Sequence, residues 1–426
     1  MAEQDGSVVI LKKIRIENFK GIKELSLDFS DKYTILVGQN GVGKTSILEA
    51  VNLSLRFLMA HVVSGVPRTL TPETDIRLGA MQSNFLLAIE IGNKNFEVEF
   101  ILNRNSALGF SKKTQSNLRQ TLSDISLALA EGDKQYSNFM QNSSNWPLLC
   151  FYDQGRSKFA INKQVKSNNK PIMAYTPDNG IVSYFETWFD DRDAEEARAV
   201  RNTSNLNHKD PQLEAARAVI SNATGFKEIY YSKNSPEGIK VKKDNLEIGF
   251  AQMSSGEKAI LFLMGDMARR CGLLNNSHPF DVVGIVLIDE IDMHLHPVWQ
   301  RQIVETLTKY FPKIQFIITT HSPQVIGEVH SENIRILSKS SANLRVERFS
   351  RTSYGRDSNY LLETVLGGDM RKKTLKKQLK KLDTLIATNE LEKARASIKK
   401  IKLEYGEDFP ELSIPEARLN RRSTKE

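Results

Sequence analysis

The stretch Gly38-Gln39-Asn40-Gly41-Val42-Gly43-Lys44-Thr45 sets two glycines, a lysine and a threonine in the spacing G-x-x-x-x-G-K-[ST], with Gly41 as a further glycine inside it. Its chemistry is the grip on a polyphosphate. Glycines let backbone N–H groups approach phosphate oxygens, and a helix N-terminus behind them adds positive potential. Lys44 is expected to reach the β- and γ-phosphates of ATP and Thr45 to offer its hydroxyl to Mg²⁺, while Asn40, Gly41, Gly43 and Ser46 complete the nucleotide contacts. Further on, Ile285-Val286-Leu287-Ile288 runs into Asp289 and Glu290. Acids ending a buried strand suit metal and water chemistry: Asp289 to hold Mg²⁺, Glu290 to polarise an attacking water. The plainer alternatives are a glycine turn without a ligand and acids that merely cap the next helix.

These groups need elements to carry them. Tyr33–Val37 reads as a short strand before the glycine loop, and Ile47, Leu48, Val51, Leu55 and Leu58 recur at helical spacing after it. Residues 282–288 and Phe316–Ile318 read as buried parallel strands, with a helix at about 298–310 between them. Residues 8–30 alternate as two antiparallel strands joined near Gly21, and 86–91 with 96–100 form a hairpin around Gly92–Asn95. Residues 61–80 and 153–180 read as loops, and a modest helix is expected around 117–130. Leu148–Tyr152 is a buried strand, 182–201 and 211–222 are helices, and strand signals return at 227–251 before a helix that follows Gly256. The charges from Asp190 to Arg201 read as a solvated helix face.

Residues 371–387 and 389–404 form a helical hairpin. Leu375, Leu379, Leu382 and Ile386 line one stripe, and Leu391, Ala394, Ile398 and Ile401 the other. Arg371, Lys372, Lys373, Lys376, Lys377, Lys380 and Lys381 crowd seven cations onto it, out of a chain with 59 basic and 51 acidic residues and a net charge of +8. Such a surface favours a polyanion, so nucleic acid is a candidate partner through this basic helix. No apolar run reaches the ~20 residues of a membrane span, and Glu3 and Asp5 interrupt the start. The two cysteines, Cys150 and Cys271, are far apart. The expectation is a cytoplasmic protein with no membrane partner and no disulfides.

Further stretches fall in a telling order. Met253-Ser254-Ser255-Gly256-Glu257, with Ser254 35 residues ahead of Asp289, is similar to the L-S-G-G-Q signature of ABC ATPases, with Ser255 where a glycine is usual. His321 in Thr319-Thr320-His321-Ser322-Pro323 stands where the switch histidine of these ATPases stands, and Asp292–Pro297 stands where their D-loop does. Gln154 occupies the Q-loop place, and Asn18-Phe19-Lys20 resembles the N-F-[KR] turn of RecF- and SMC-like heads. With the glycine loop and the Asp-Glu strand, the order resembles an ABC ATPase head of the RecF/SMC/OLD group over most of residues 10–350. Tyr184-Phe185-x-x-Trp188-Phe189, Ile291-x-x-His294-Leu295-His296-Pro297 and Tyr354-Gly355-Arg356-Asp357 resemble the Septu-type anti-phage ATPases more closely.

That resemblance implies an α/β fold: an ABC-ATPase head with a P-loop parallel sheet and an antiparallel β lobe, plus a helical insertion and a helical C-terminal appendage. It implies four parts: 1–180 and 226–355 for the head, 181–225 for the insertion, 356–426 for the basic helical region. Glu290 and His321 are then catalytic. Lys20, Gln154, Ser254 and Gly256 join the nucleotide contacts, with Ser254 and Gly256 facing the γ-phosphate of a second subunit. Thr45, Gln154 and Asp289 hold the metal. The implied partners are a second copy, in a head-to-head dimer or higher oligomer, and a separate HNH nuclease. The alternative is a RecF/SMC-like DNA-binding ATPase of repair or recombination. The His294-x-His296 pair invites a zinc reading that no nearby Cys or acid spacing supports. Neither a TOPRIM-like acid set nor an H-N-H constellation is legible in the sequence, so nuclease chemistry is expected elsewhere.

Overall fold

A computed structural model of the chain describes residues 8–62, 75–104, 108–130, 146–157, 171–175, 181–234, 236–340, 343–365, 373–406 and 409–423. Parts of the loops expected at 61–80 and 153–180 lie outside the described residues, as do Arg371 and Lys372 at the head of the basic run. Two compact units emerge, Met1–Leu361 and Leu362–Glu426.

The first unit begins with β1 (Val9–Phe19), β2 (Ile22–Asp28) and β3 (Tyr33–Gly38), then α1 (Lys44–Val62). Next come β4 (Gln82–Ile91), β5 (Lys94–Asn103), β6 (Gly109–Phe110), α2 (Lys112–Ser116), α3 (Leu118–Ala130) and β7 (Leu148–Tyr152). Helices α4 (Ile181–Thr203) and α5 (Pro211–Thr224) precede β8 (Lys227–Ser232), β9 (Gly238–Lys243) and β10 (Leu246–Gly249). Then follow α6 (Ser255–Leu274), β11 (Gly284–Ile288), α7 (Pro297–Tyr310), β12 (Ile314–Thr319), α8 (Pro323–Gly327), β13 (Ile334–Ser340), β14 (Asn343–Arg348) and α9 (Ser358–Thr364).

Three sheets result. The central one runs β14-β13-β3-β12-β11-β7, parallel throughout except for the antiparallel edge strand β14. Its inner strands are buried along their length, as unbroken apolar runs in a doubly covered parallel sheet must be. An antiparallel sheet, β2-β1-β4-β5-β6, forms the second lobe, and β10-β9-β8 a third, smaller sheet. The β4–β5 turn is tighter than the sequence suggests. Ile91 pairs with Lys94, which leaves only Gly92 and Asn93 between the strands, with Gly92 at φ 59° supplying the left-handed geometry.

Strand β1 breaks simple alternation. Leu11 and Ile14 are both fully buried although three residues apart. A bulge between Leu11 and Lys13 in the pairing with β4 absorbs the odd residue and keeps both on one face. Buried Gln315 of β12 then binds the loosened backbone. Its Oε1 accepts from Leu11 N–H at 2.8 Å, and its Nε2 donates to the carbonyls of Leu11 at 2.9 Å and Ser30 at 2.8 Å. One side chain thus ties the antiparallel lobe to the parallel sheet.

Helices α4 and α5 pack along α6. Gly265 of α6 leaves room for the Phe185 ring, which a Cβ there would meet at 2.4 Å, and Gly272 does the same for Gln212. The charges between Asp190 and Arg201 do not form a simple solvated face. Arg217 of α5 reaches back to Asp193, Glu196 and Glu214, and Arg192 pairs with Asp210. Glu196 is 9% exposed. The charge pattern of one helix does not show that an arginine on the next will cover it.

In the second unit, α10 (Lys373–Ala387) and α11 (Leu391–Tyr405) make the expected hairpin. A third helix, α12 (Ser413–Ser423), joins it. Leu412 and Leu419 complete the core of Leu375, Leu379, Leu382, Ile386, Ala394, Ile398 and Ile401. Lys377, Lys380 and Lys381 lie exposed on α10. Among the described residues no helix is long and apolar enough to cross a membrane.

Gln315→Leu is expected to destabilise the chain by roughly 2–4 kcal/mol, because it strands the buried amide and carbonyl of Leu11. Urea unfolding measures it; an unchanged midpoint would mean that the bulge satisfies itself.

Candidate nucleotide site

The site lies where the parallel strands end. Neighbouring strands β3, β12, β11 and β7 bring their carboxyl ends together, as ligand sites of open α/β sheets do. After β3 the chain enters the glycine loop. Gly41 and Gly43 adopt φ 72° and 116°, conformations that other residues reach at a cost. Gln39, Asn40 and Gly41 are exposed, so the loop backbone is open to a ligand. Helix α1 starts at Lys44. The first N–H groups of a helix, here those of Lys44, Thr45 and Ser46, have no acceptor within it and face outward.

Lys44 is 6% exposed. Its ammonium donates to the carbonyls of Gly38 (3.0 Å) and Gln39 (3.3 Å) and lies 2.7 Å from His321 Nε2. A lysine ammonium has no acceptor, so Nε2 accepts and the neutral ring carries its proton on Nδ1. Burial, and then the charge of Lys44, hold the His321 pKa below its ordinary value. Burial also lowers Lys44, against the pull of Asp289, Glu290 and Asp292.

Asp289 follows β11 and is fully buried. Thr45 Oγ1 donates to its Oδ2 at 2.8 Å, Gln154 Nε2 to the same oxygen at 3.1 Å, and Thr319 Oγ1 to Oδ1 at 2.5 Å. Thr45, Gln154 and Asp289, read separately from the sequence, therefore meet at one carboxylate. Glu290, next in the chain, takes the left-handed backbone at φ 46°, and its N–H is held by Thr319 Oγ1 at 2.7 Å. A non-glycine residue there marks a constrained site.

Other residues support this constellation without an obvious sequence signal. Thr319 bridges Asp289 and Glu290. Asp292 Oδ1 accepts from Thr320 Oγ1 at 2.5 Å and from the His321 amide at 3.3 Å, fixing the loop that carries the histidine. Gln300 then joins Ser322 to the carbonyls of Asp292 and Leu295. The repeated hydroxyls of Thr319-Thr320 were the available clue.

Ser254 and Gly256 are placed differently. Ser254 caps α6 in a reciprocal box: its Oγ accepts from Glu257 N–H, and Glu257 Oε2 accepts from Ser254 N–H at 2.8 Å. Burial pushes the Glu257 carboxyl up, but Lys243 at 2.6 Å and the Ser254 bonds hold it below the usual range. Ser254 and Ser255 are exposed at the tip. Gly256 is buried: a Cβ there would meet the His294 carbonyl at 2.7 Å and the Trp299 ring at 3.1 Å. Its neighbours belong to the loop after Glu290 and to α7 of the same chain. Lys20, at φ 48°, pairs with Glu49 at 2.5 Å and Asp75 at 3.6 Å rather than with any group of the glycine loop. His294 and His296 are exposed, and among the described residues no group of three or more His, Cys, Asp or Glu could hold a metal.

The residues fit a magnesium nucleotide. A hydroxyl, a carboxylate and an amide oxygen are the hard donors that Mg²⁺ takes beside phosphate oxygens. Thr45, Asp289 and Gln154 would hold the ion, and Lys44 with the loop amides would hold the phosphates. The ion would offset charge on the transferring phosphoryl group. Glu290, next to Asp289, would be the carboxylate nearest in sequence to take a proton from water, and His321 Nε2 would be released if Lys44 turned to phosphate.

In the ligand-free protein His321 is expected to titrate below 6.5 by NMR, and Lys44→Met should raise that value by removing the adjacent cation. Native His321 resists protonation more than the unfolded chain does. Stability therefore falls as pH drops through about 6.5 toward the folded pKa. A His321 pKa at or above 6.5 in the unaltered chain would contradict the Lys44 contact.

The chain is similar to several known proteins. The family described as "AAA domain, putative AbiEii toxin, Type IV TA system" matches residues 33–327, from the strand before the glycine loop to α8 after His321. The "Retron Ec83 probable ATPase" of Escherichia coli is 30% identical over 85% of this chain and 77% of its own length. The "Retron Vc95 probable ATPase" of Vibrio cholerae is 27% identical over 88% and 83%. The "Septu protein PtuA" of Bacillus mycoides is 27% identical over 75% of this chain and 39% of that protein. With the parallel sheet, the glycine loop and the Asp289 centre in one order, the chain belongs to this AAA-domain family of ABC-type ATPases, alongside the retron and Septu ATPases.

Proposed function

We propose that the chain is the ATP-binding and ATP-hydrolysing subunit of a bacterial anti-phage complex, a nucleotide-gated regulator and scaffold for a separate HNH nuclease. The observation that carries the ATPase part is the meeting of Thr45, Gln154 and Asp289 at one buried carboxylate beside Lys44 and His321. Similarity to retron ATPases and PtuA supports the defence setting. On this reading ATP and Mg²⁺ are the cofactors, and Glu290 and His321 act on the γ-phosphate and its water. The exposed Ser254 tip completes the site of a second head, so nucleotide joins two copies. The second unit, with its own core, seats the nuclease or builds higher assembly.

A second reading is a RecF-like DNA-binding ATPase of repair. It draws on charge: residues Leu362–Glu426 carry 16 basic and 11 acidic side chains, a net +5 of the chain's +8. Reversing Lys377, Lys380 and Lys381 to Glu should abolish DNA binding on this reading. On the first, copurification with an HNH protein encoded alongside should survive those changes.

Glu290→Gln is expected to retain ATP and Mg²⁺ binding but to slow turnover at least roughly 100-fold, the scale of lost general-base help; turnover at the unaltered rate would remove Glu290 from that role. Lys44→Ala should weaken nucleotide binding in a titration.

Ser254→Arg should keep the monomer fold and prevent the ATP-bound dimer seen by ultracentrifugation. A strictly monomeric chain with normal turnover would count against a shared site. Truncation after Gly368 should leave ATP binding intact while partner or oligomer is lost; normal assembly of the truncated chain would free the second unit of that duty.

A further inference from the structure

Helix α6 carries Ser254 at its tip and, twelve to sixteen residues further, the group Asp266, Arg269 and Arg270. At 1.5 Å per residue these lie roughly 18–24 Å along the helix from Ser254. Asp266 is fully buried, and Arg269 and Arg270 are 3% and 1% exposed. Asp266 Oδ1 accepts from Arg269 Nε at 2.8 Å and Nη2 at 2.6 Å, and Oδ2 accepts from Arg270 Nε at 2.5 Å. Oδ2 takes a further bond, from the hydroxyl of Tyr152 at 2.9 Å. Arg270 also donates to the carbonyl of Ala174 at 2.6 Å, and its guanidinium lies 5.7 Å from the Tyr152 ring centre. Burial would raise the Asp266 carboxyl, but the two guanidiniums keep it below the usual range. The carboxylate stays charged and its four bonds stay strong.

Tyr152 has a second attachment. It is the last residue of β7, and its carbonyl accepts from the Asp289 amide at 2.8 Å. Two residues later Gln154 donates to the Asp289 carboxylate. Tyr152 therefore touches the Asp289 backbone with its main chain and α6 with its side chain. A buried network of this kind has few alternative arrangements, because any unpaired member is costly. Helix α6 has little freedom to shift alone, since Phe185 and Gln212 fill the spaces beside Gly265 and Gly272.

We propose that Tyr152 is a positioning residue. Its hydroxyl on Asp266 ties the helix that presents Ser254 to the strand end that aims Gln154 at Asp289, so that occupation of the metal site and the stance of the Ser254 tip are set together. This inference rests on the shared-site reading above, in which Ser254 serves a second head. It assigns no chemistry to Tyr152.

The test is Tyr152→Phe, which keeps the buried ring and removes one hydroxyl. The control is Tyr175→Phe, which removes a buried hydroxyl bonded at 2.8 Å to the Pro147 carbonyl rather than to Asp266. Both variants are made in the full chain and compared by thermal unfolding. For turnover, the Mg²⁺ concentration for half-maximal ATP hydrolysis is measured. For assembly, ATP-dependent dimerisation is measured in the Glu290→Gln background. Tyr152→Phe is expected to raise the Mg²⁺ half-saturation and the dimer dissociation constant each roughly fivefold, about the worth of one buried hydrogen bond. Tyr175→Phe is expected to lower the melting temperature similarly and to change neither. If Tyr152→Phe leaves both constants unchanged, or if the two variants alter them equally, Tyr152 is structural only. A Glu290→Gln chain that fails to dimerise with ATP even with Tyr152 intact overturns the shared-site reading itself and the proposal with it. Should Tyr152→Phe not fold, Arg270→Lys, which keeps the charge but loses the fork geometry, must produce the same paired shifts or the proposal fails.

Discussion

A buried carboxylate must be satisfied from several sides, and Asp289 is such a group. Its solvation comes from Thr45 at the start of α1, Gln154 beyond β7 and Thr319 at the end of β12. Each donor belongs to a different segment of sequence, up to 244 residues away. The arrangement stands only if β3, β12, β11 and β7 are neighbours, parallel and in register, which is the order observed. Removing one donor would leave a buried carboxylate oxygen short of a bond, at a cost of roughly 1.5–3 kcal/mol, the usual scale of a hydrogen bond to a charged group. The parallel sheet can thus be seen as the device that holds four strand ends around one carboxylate.

The second constraint is the cation beside it. Lys44 is buried and kept in place by loop carbonyls and by the lone pair of His321. The polar groups of the site satisfy one another: Lys44 on histidine, threonine and glutamine on aspartate. On the proposed reading a magnesium nucleotide would exchange these contacts for better ones. Phosphate oxygens for the lysine and a divalent ion for the carboxylate are better on electrostatic grounds, so both exchanges favour the same ligand.

Much of this was legible in the sequence because the motifs are local. A glycine loop, an apolar run ending in two acids and a threonine-histidine strand end each declare themselves within ten residues, and the strands and helices around them followed from periodicity. What was not legible lies in side chains that meet across distance. Nothing near Gln315 reveals that it will bind the backbone of Leu11, 304 residues earlier. Nothing near Asp190–Arg201 announces Arg217 on the next helix. The helix at Ser413–Ser423 lies in the region read as helical, but its bounds are weakly marked because it presents little apolar surface: Leu419 is buried while Ile414 is 66% exposed. Lys20 is a further case: nothing near its motif announces that Glu49 and Asp75 will pair with its ammonium.

The contact of Gly256 with the His294 carbonyl and Trp299 ring has an evolutionary side. Two stretches that look like independent words in the sequence share one boundary of van der Waals thickness. Any side chain at 256 would have to be accommodated by the loop beyond Glu290, where His294 already holds a left-handed backbone at φ 66°. Neither stretch is free to drift alone. A lineage that replaced this glycine would carry a matching change near residues 294 and 299, and the pair would be inherited as a single character.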